Sequence, residues 1–394
     1  MLKYIVLALS GCLCVLGSFA QTNSIEQALQ KIEQNNKELK AFKSLMESKR
    51  LDYKSSNNLP DPKVSAFYLP FGEHAPGNYS EFQVSQSFEF PTVYGARGNW
   101  INRQVEQLQL EYGQIRKDIL LQGKKYCLEL ISLAKQKEVV LLRMQQAQQV
   151  FNQMEELFEK EQVGILQLNK AKIAWMQDQF QVAQIEMERN GLLLSLQKLN
   201  GGQTIAFDQK MYGTDLELSN SESLWQQKKA ADPEIKVSMA QVDVSLQKIK
   251  LEKNKLLPNL TAGFNYQGVM ESNYSGLYAG ISIPLWSGRN KVKTAEAMYQ
   301  YQQSKTESVI TSLYSTFLER YNQYELMLRK YREYESTLDG LNSEQLLLES
   351  YELGEISFMD YYGELQFYRQ AYDKMLQMEK ELHLLKAKIM SFEL

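Results

Sequence analysis

Proline is confined to a few places along this chain, and the spaces between them limit the fold more than any other feature. Five of the eight prolines lie between positions 60 and 91, and the others at 233, 258 and 284, so that residues 92–232 and 285–394 contain none. A proline inside a helix removes a hydrogen bond and clashes with the preceding turn, at about 3 kcal/mol. Two such long stretches, rich in Gln, Glu, Lys and Leu, therefore predict very long helices.

Apolar periodicity supports the same prediction. In the second stretch, Phe317, Tyr321, Tyr324, Leu328 and Tyr331 step by four and three. In the first stretch an apolar or aromatic residue occupies every seventh position over eight heptads: Val105, Tyr112, Ile119, Tyr126, Leu133, Val140, Ala147 and Met154. A helix over residues 97–160 would be about 95 Å long. The sequence therefore predicts an elongated coiled-coil molecule.

Four short segments between the helices alternate apolar and polar residues, which is the period of a strand with one apolar face. They are predicted as two hairpins, with strands over residues 63–71, 79–90, 259–267 and 274–283. Each strand has roughly the 9–11 residues that a tilted strand needs to cross a bilayer. The alternation alone also allows two soluble hairpins that cap a helical bundle.

The first twenty residues have the features of a secretory signal peptide. Lys3 precedes an apolar run, and the small residues Ser18 and Ala20 come before Gln21. A lipoprotein signal with Cys12 as the lipidated first residue is the alternative. Removal of residues 1–20 would leave a single thiol, so no intramolecular disulfide is expected. Beyond residue 20 no stretch approaches the roughly 20 apolar residues of a membrane-spanning helix, so that any span is expected to consist of strands.

The composition argues against several classes of protein. With 44 Lys plus Arg against 47 Asp plus Glu, the net charge is −3, whereas nucleic-acid binding needs a concentrated excess of basic residues. Only two histidines, His74 and His383, and three cysteines are present. Such a chain has almost no ligands for zinc or haem and no Ser-His-Asp constellation. We therefore predict no metal, no cofactor and no enzymatic activity.

The chain also has the signs of an internal duplication. An offset of 193 residues aligns three pairs: Pro91 with Pro284, Gly95 with Gly288, and Phe158 with Tyr351. Each half is predicted to contain a helix, two strands, a very long helix and a further helix. The predicted domains are residues 21–199 and 233–394, joined by a connector over residues 200–232.

A membrane strand can satisfy its backbone polar groups only within a closed barrel, and the smallest membrane barrels use about eight strands. Four strands per chain cannot close one, whereas three copies would supply twelve. If the hairpins lie in a membrane, the protein must therefore oligomerise. The aromatic residues Phe90, Tyr94 and Trp286 stand at strand ends, where aromatic rings favour the membrane interface.

Three stretches resemble the TolC-type outer-membrane efflux proteins, in particular the heavy-metal and RND efflux branch of that family. Residues 283–289, Ile-Pro-Leu-Trp-Ser-Gly-Arg, are similar to the strand-to-helix signature of the family, and residues 90–95, Phe-Pro-Thr-Val-Tyr-Gly, are the counterpart in the first half. Residues 351–360, Tyr-Glu-Leu-Gly-Glu-Ile-Ser-Phe-Met-Asp, resemble its periplasmic helical turn, which is matched by residues 158–172.

The resemblance implies a homotrimeric conduit of mainly α structure. It would consist of a 12-stranded β-barrel in outer-membrane lipid and a coiled-coil α-barrel that extends through the periplasm. Such a conduit docks with a periplasmic adaptor, the membrane fusion protein, and with an inner-membrane RND-type pump that supplies the energy, while substrate moves through it passively. The resemblance leaves the cargo open among a metal ion, a drug, a dye and a secreted peptide, because the pump largely selects it, and the heavy-metal branch slightly favours cations.

Familiar members close the periplasmic end with inward aspartates and with a tyrosine–arginine hydrogen bond. Asp360 and Tyr351 occupy matching positions, but the arginine position is Ile356, and the second aspartate position is Gly363, followed by Glu364. The resemblance therefore implies a periplasmic gate at Asp360, Tyr351 and Glu364, whereas the departures at Ile356 and Gly363 leave the chemistry of its latch open. A ring of three Asp360 carboxylates would repel one another and favour cations. The alternative is an ordinary solvated acid on a helix.

The resemblance places adaptor docking at five residues: Val163, Gly164, Gly354, Glu355 and Ser357. A left-handed cap that ends a helix would explain Gly354 as well, and is compatible with docking. The corresponding position in the first half holds Glu161, so the two turns are expected to contact adaptors differently.

A periplasmic coiled-coil adaptor or scaffold without a membrane barrel is the alternative function, since it would also have heptads and a signal sequence. Such a protein would have one helical hairpin and a soluble β-rich domain. Here the predicted strands form two equal pairs at equal places in a duplicated chain.

Overall fold

The computed structural model describes residues 24–70, 79–269, 272–339, 341 and 343–394. The predicted signal peptide, the alternative lipidation site at Cys12 and the loop of the first hairpin lie outside the described residues. The helices and strands occur in two similar series, each with two helices, two strands and then long helices.

The first series begins with α1 (Ile25–Asn35) and α2 (Lys37–Ser55), continues with β1 (Lys63–Leu69) and β2 (Tyr79–Phe88), and ends with α3 (Pro91–Glu159) and α4 (Ile165–Leu199). The second series contains α5 (Ser221–Ala231), α6 (Pro233–Asn254), β3 (Asn259–Val269), β4 (Ser272–Ser282), α7 (Lys291–Asp339), α8 (Ser343–Glu352) and α9 (Phe358–Ile389). A short 3₁₀ turn at Ser391–Glu393 follows α9.

Each series opens with two helices where the sequence predicted one, because a buried polar residue interrupts the helix and caps the next. The Asn36 side chain accepts a hydrogen bond from the backbone N–H of Leu39 at 3.0 Å. In the second series, Asp232 accepts one from the N–H of Glu234 at 3.0 Å. Asp232 is itself fully buried, between Lys117 and Lys228. Helix α5 lies inside the segment predicted as a connector.

The first long helix, α3, has 69 residues, which corresponds to about 100 Å. It begins at Pro91, earlier than the predicted residue 97, because proline is tolerated in the first helical turn. In the second series the long helix is divided: α7 ends at Asp339 and α8 begins at Ser343. The sequence at this place contains Gly340 and Asn342, residue types that favour helix ends.

The four strands form one antiparallel sheet with the order β1-β2-β3-β4. The two hairpins thus meet side by side through β2 and β3, where Phe88 pairs with Leu260. Strand bounds differ from the predictions by a few residues. For example, β3 and β4 extend further toward each other and pair Val269 with Ser272, whereas β2 ends at Phe88 before the start of α3.

Buried apolar residues gather at two levels of the helical part. The two largest clusters lie beside the C-terminal parts of α4 and α9: one packs α1 and α4 on the middle of α3, and the other packs α5, α7 and α9 together. A smaller cluster lies at the opposite end, where α3 turns into α4 and α8 into α9. Within the described residues, no helix combines the length and apolar character needed to span a membrane.

Candidate functional site

The chain makes two turns at the far end of its long helices. The first tip, residues 158–168, connects α3 to α4. Glu161 has a left-handed backbone, with φ of 58°, and the N–H of Gln162 donates to the carbonyl of Leu157 at 2.9 Å. This is the hydrogen bond that closes a Schellman-type helix end. A non-glycine residue therefore occupies the position that favours glycine.

The second tip, residues 351–361, connects α8 to α9 with the same geometry. Gly354 has φ of 73°, and the N–H of Glu355 donates to the carbonyl of Ser350 at 2.9 Å. The interpretation of Gly354 as a left-handed cap is therefore correct. Since Gly354 and Glu161 are 193 residues apart, the same backbone turn occurs at the same point of each series.

The helices that leave the two tips begin with different caps. At the first, the N–H of Gly164 donates to Oε1 of Gln167 at 2.9 Å. At the second, Oγ of Ser357 accepts from the N–H of Asp360 at 3.2 Å and donates to Oδ2 of the same residue at 2.6 Å. Asp360 is exposed and lies in the first turn of α9. Within one chain Asp360 is thus a capping residue.

Tyr351 belongs to an apolar core that the two tips share. Its ring stacks on Tyr361 with centroids 5.0 Å apart, and burial raises the pKa of the Tyr351 hydroxyl. Ile356 of the second tip and Val163 of the first pack into the same core. At the position where the family resemblance implies an arginine, this chain thus has an isoleucine that packs into the core. The buried members of this core are Val150, Met154, Ala171, Phe358, Tyr361 and Leu365.

The two tips differ strongly in charge. Residues 340–368, around the second tip, contain six acidic residues and no basic one: Glu344, Glu349, Glu352, Glu355, Asp360 and Glu364. The equivalent residues 147–175 contain four acidic residues and three lysines. None of the six carboxylates makes an ion pair with Lys or Arg within the described part of the chain. Two of the three predicted gate residues, Asp360 and Glu364, are among these six acids.

Above the tip core lies a buried group of charges that the sequence analysis did not foresee. Arg143 of α3 donates to Asp373 of α9 at 2.8 Å, and Arg369 of α9 donates to Asp178 of α4 at 3.4 Å. Both arginines are almost fully buried. Burial raises the pKa of the Asp178 carboxyl, and the nearby Arg369 and Arg143 oppose that shift. The sequence did contain a sign of these buried charges, because Arg143 stands three residues after Val140, at the second of the two core positions of the heptad.

A row of exposed apolar residues runs along α4, which we name the α4 seam. Its members recur at every seventh position and are 54–73% exposed: Leu166, Ile173, Phe180, Met187 and Leu194. A second exposed apolar line contains Leu326 and Tyr334 of α7, Leu346 of α8 and Leu353, the residue after α8. A heptad of this length normally packs against another helix, and neither line has such a neighbour within the described chain.

The sheet has one apolar and one polar face. One cross-strand row joins Val64, Val84, Phe264 and Leu277, and the neighbouring row joins Ser65, Gln83, Asn265 and Gly276 on the other face. On the polar face the Asn265 amide donates to Glu81 at 2.9 Å. The apolar face is largely exposed, with Leu277 at 89%. Such a face needs an apolar environment or a partner.

The three aromatic residues predicted for the membrane interface have different surroundings. Trp286 is 81% exposed in the turn after β4. Tyr94 accepts a hydrogen bond from the N–H of Glu89 at 3.1 Å, and Arg97 lies over its ring. Phe90 is partly buried at the start of α3. Only Trp286 of the three thus presents most of its ring to the surroundings.

Comparison with known proteins identifies structures that have the same fold as this chain. No family model matches the chain, and no curated protein matches it in sequence. Solved structures do match it in shape. The CmeC outer membrane channel of Campylobacter jejuni has a TM-score of 0.74 at 13% identity, with 93% of this chain and 85% of that chain covered.

Two further structures agree. CusC, described with its transmembrane channel formation, has a TM-score of 0.77 at 13% identity, with 94% and 92% of the two chains covered. The MtrE outer membrane channel of Neisseria gonorrhoeae has a TM-score of 0.70 at 13% identity, with 93% and 88% covered. The chain therefore has the fold of the TolC-type outer-membrane efflux channels, as its sequence resemblance predicted.

Proposed function

We propose that this chain is the outer-membrane channel component of a tripartite efflux system. Three copies would conduct substrate passively from a periplasmic adaptor and an inner-membrane RND-type pump to the exterior. The observation that carries the proposal is the sheet, which has one exposed apolar face and two unpaired edge strands at the end of a long helical body. A soluble scaffold would leave that face and those edges without a partner.

The direction of the strands suits closure into a barrel. Since all neighbours are antiparallel, β1 and β4 run in opposite directions. The β4 strand of one copy can therefore pair antiparallel with β1 of the next copy. Three copies would give twelve strands with every edge satisfied, and the apolar faces would point to lipid.

The helices suit the same closure. Packing contacts order them as α4, α3, α9 and then α7 with α8. The α4 seam and the exposed line on α7 and α8 consequently lie at opposite ends of this row. We infer that the α4 seam of one copy packs against α7 and α8 of the next, which would close the helical row into an α-barrel in the periplasm.

The remaining assignments belong to the same proposal. The channel would narrow at the tips, where Asp360, Glu364 and Tyr351 surround the periplasmic mouth, and three Asp360 carboxylates would attract cations there. Adaptor docking would use the first tip at Val163 and Gly164. At the second tip it would use Gly354, Glu355 and Ser357. The equivalent turns at residues 193 apart support an internal duplication as the origin of the two series.

Extraction and electrical recording test the proposal. The full chain should stay in the outer-membrane fraction in high salt and leave it only in detergent. Light scattering should give the mass of three chains, and planar bilayers should show discrete currents. Release by high salt, or a detergent-extracted particle with the mass of one chain, would favour the periplasmic scaffold instead.

A further inference from the structure

One row on the polar face of the sheet combines an acid with exposed aromatic rings. Cross-strand pairing places four residues in this row, one from each strand: Phe67, Glu81, Gln267 and Tyr274. Phe67 is 52% exposed and Tyr274 is 64% exposed. Since neighbouring strands lie about 4.8 Å apart, the row is about 14 Å wide. It is therefore wide enough to contact a medium-sized organic molecule along its length.

Two hydrogen bonds fix the orientation of the Glu81 carboxylate. The Tyr79 hydroxyl donates to its Oε2 atom at 2.6 Å, and the Asn265 amide donates to its Oε1 atom at 2.9 Å. Both donors are neutral, so that neither cancels the negative charge of the carboxylate. Each carboxylate oxygen can accept more than one hydrogen bond. Glu81 can therefore contact a positively charged ligand without leaving its two partners.

Basic residues are scarce along the strands. The sequences of β1, β2, β3 and β4 contain one charged residue besides Glu81, namely Lys63. Lys63 stands four residues before Phe67, which corresponds to about 13 Å along β1. As the first residue of β1 it lies at the end of the sheet that follows α2, whereas Glu81 lies toward the other end. The row around Glu81 therefore has a net negative charge.

The pleat of the strands decides which way this row faces in the proposed channel. Neighbouring residues of a strand point to opposite faces, and the opposite face of the sheet holds Val64, Phe264 and Leu277. A charged residue that faces lipid is costly. The apolar face therefore suits lipid, and the row with Glu81 would line the interior. In a symmetric trimer, three such rows would lie at one level of the barrel.

We propose that this row binds organic cations, with the positive group at Glu81 and the apolar part against Phe67 and Tyr274. Aromatic rings attract a cation over their faces, and the carboxylate supplies the opposite charge. A small hydrated cation would gain from the charge alone, and an anion would be repelled. This inference rests on the proposed function, and it adds the chemical class of substrate that the wall of the barrel favours.

Current block by an organic cation tests the proposal with the full-length protein in planar bilayers. The probe is tetraphenylphosphonium, and tetraphenylborate is an anion of the same shape. We expect Glu81→Gln, which keeps the size of the side chain and can still accept from Tyr79, to need about tenfold more tetraphenylphosphonium for half block. Asp61→Asn is the matched control, because Asp61 is exposed and precedes β1. Its half-block concentration should stay within about twofold of the unmodified value.

Replacing the rings tests the role of the aromatic residues. The double variant Phe67→Leu, Tyr274→Leu keeps the row apolar and keeps Glu81, but it removes the ring faces. It should need about fivefold more tetraphenylphosphonium for half block. Block by magnesium should stay the same, because a small hydrated cation would use only the carboxylate.

Three outcomes would overturn the inference: the same half-block concentration for Glu81→Gln and the unmodified channel, equal block by tetraphenylborate and tetraphenylphosphonium, or an equal loss of magnesium and tetraphenylphosphonium block in the double variant. The currents themselves separate this inference from the proposed function. Normal currents with any of these outcomes would contradict the organic-cation site alone. The absence of currents from the unmodified protein would contradict the proposed function and, with it, this site.

Discussion

The first helical hairpin, α3 with α4, and the second, α7 to α9, share a backbone turn but differ in continuity and charge. Helix α3 is unbroken over 69 residues, whereas its counterpart is divided into α7 with 49 residues and α8 with 10. Residues 147–175 around the first tip contain four acidic residues and three lysines, whereas residues 340–368 around the second contain six acidic residues and no basic one. The turn itself is set by backbone hydrogen bonds, which leaves side chains free to differ.

This difference suggests that the two hairpins have different roles in the proposed channel. The continuous first hairpin presents an apolar seam suited to contact between copies. The divided, acidic second hairpin carries the residues of the proposed gate. Four changes would break or sharpen this comparison, from the largest expected effect to the smallest.

A charge in the α4 seam should abolish assembly. Phe180→Asp removes an aromatic side chain whose burial is worth about 1.5–3 kcal/mol and would bury an unpaired carboxylate at each contact between copies. We expect the detergent-extracted variant to have the mass of one chain by light scattering. Gln181→Asp, exposed on the same helix outside the seam, should keep the mass of three chains. A trimeric Phe180→Asp protein would show that the seam is not the contact.

Loss of Arg369 should loosen the second hairpin from the first. Arg369→Ala leaves the buried Asp178 without its main partner, which costs about 3–5 kcal/mol at neutral pH. Burial raises the pKa of the Asp178 carboxyl, because the ionised form is poorly solvated in the folded chain. The ionised carboxylate therefore destabilises the folded state more as pH rises above the pKa of an unburied aspartate. The cost of the variant should therefore shrink as pH falls toward about 4, where the protonated acid needs no partner.

Thermal unfolding followed by circular dichroism would measure both effects. Arg332→Ala provides the control, since Arg332 pairs with Glu217 at 3.5 Å on the exposed surface, and such pairs contribute up to about 1 kcal/mol. Equal costs for the two variants would contradict the buried role of Arg369.

Neutralising Asp360 should weaken the binding of multivalent cations at the proposed gate. In the first tip, Gln167 already occupies the equivalent position. Asp360→Asn can still accept a hydrogen bond from Ser357, so the cap should survive. We expect about tenfold more of a trivalent cation to be needed to block half the current in planar bilayers. Glu161→Gln, an acid of the first tip, serves as the control, and unchanged block in Asp360→Asn would count against the gate.

Exchanging the left-handed residues should have the smallest effect, with opposite signs at the two tips. Glu161→Gly should stabilise the chain by about 0.5–1 kcal/mol, because glycine adopts positive φ without strain. Gly354→Ala should destabilise it by roughly 1 kcal/mol for the same reason. Urea unfolding of both variants would measure the difference. Changes of the same sign would show that the turns are not equivalent.

Much of the fold was accessible from the sequence. Proline positions located the long helices, because their cost in a helix is large and local. Alternation located the four strands, and the offset of 193 residues located Glu161 and Gly354 at one backbone position. The ends of strands were less certain, since pairing with a neighbour decides where a strand stops.

Three features escaped the sequence analysis, each because it depends on tertiary contacts. Helix α4 is apolar on both sides, with Ala171 and Ile185 buried and Phe180 exposed, so periodicity alone could not tell which side meets the rest of the chain. The buried pair of Arg369 and Asp178 joins residues 191 positions apart. The division between α7 and α8 depends on a few residues within a strongly helical stretch. The roles of the predicted gate and docking residues require the assembly.

The adjacency of β2 and β3 has a consequence for biogenesis. This central pair joins residue 79 to residue 269, so the ribosome must complete more than two thirds of the chain before the two hairpins can pair. In the proposed channel, the first hairpin would therefore lack its neighbouring strand while α3 to α6 are made. Such a delay would keep the nascent polypeptide in transit until its helical body is ready to accompany it.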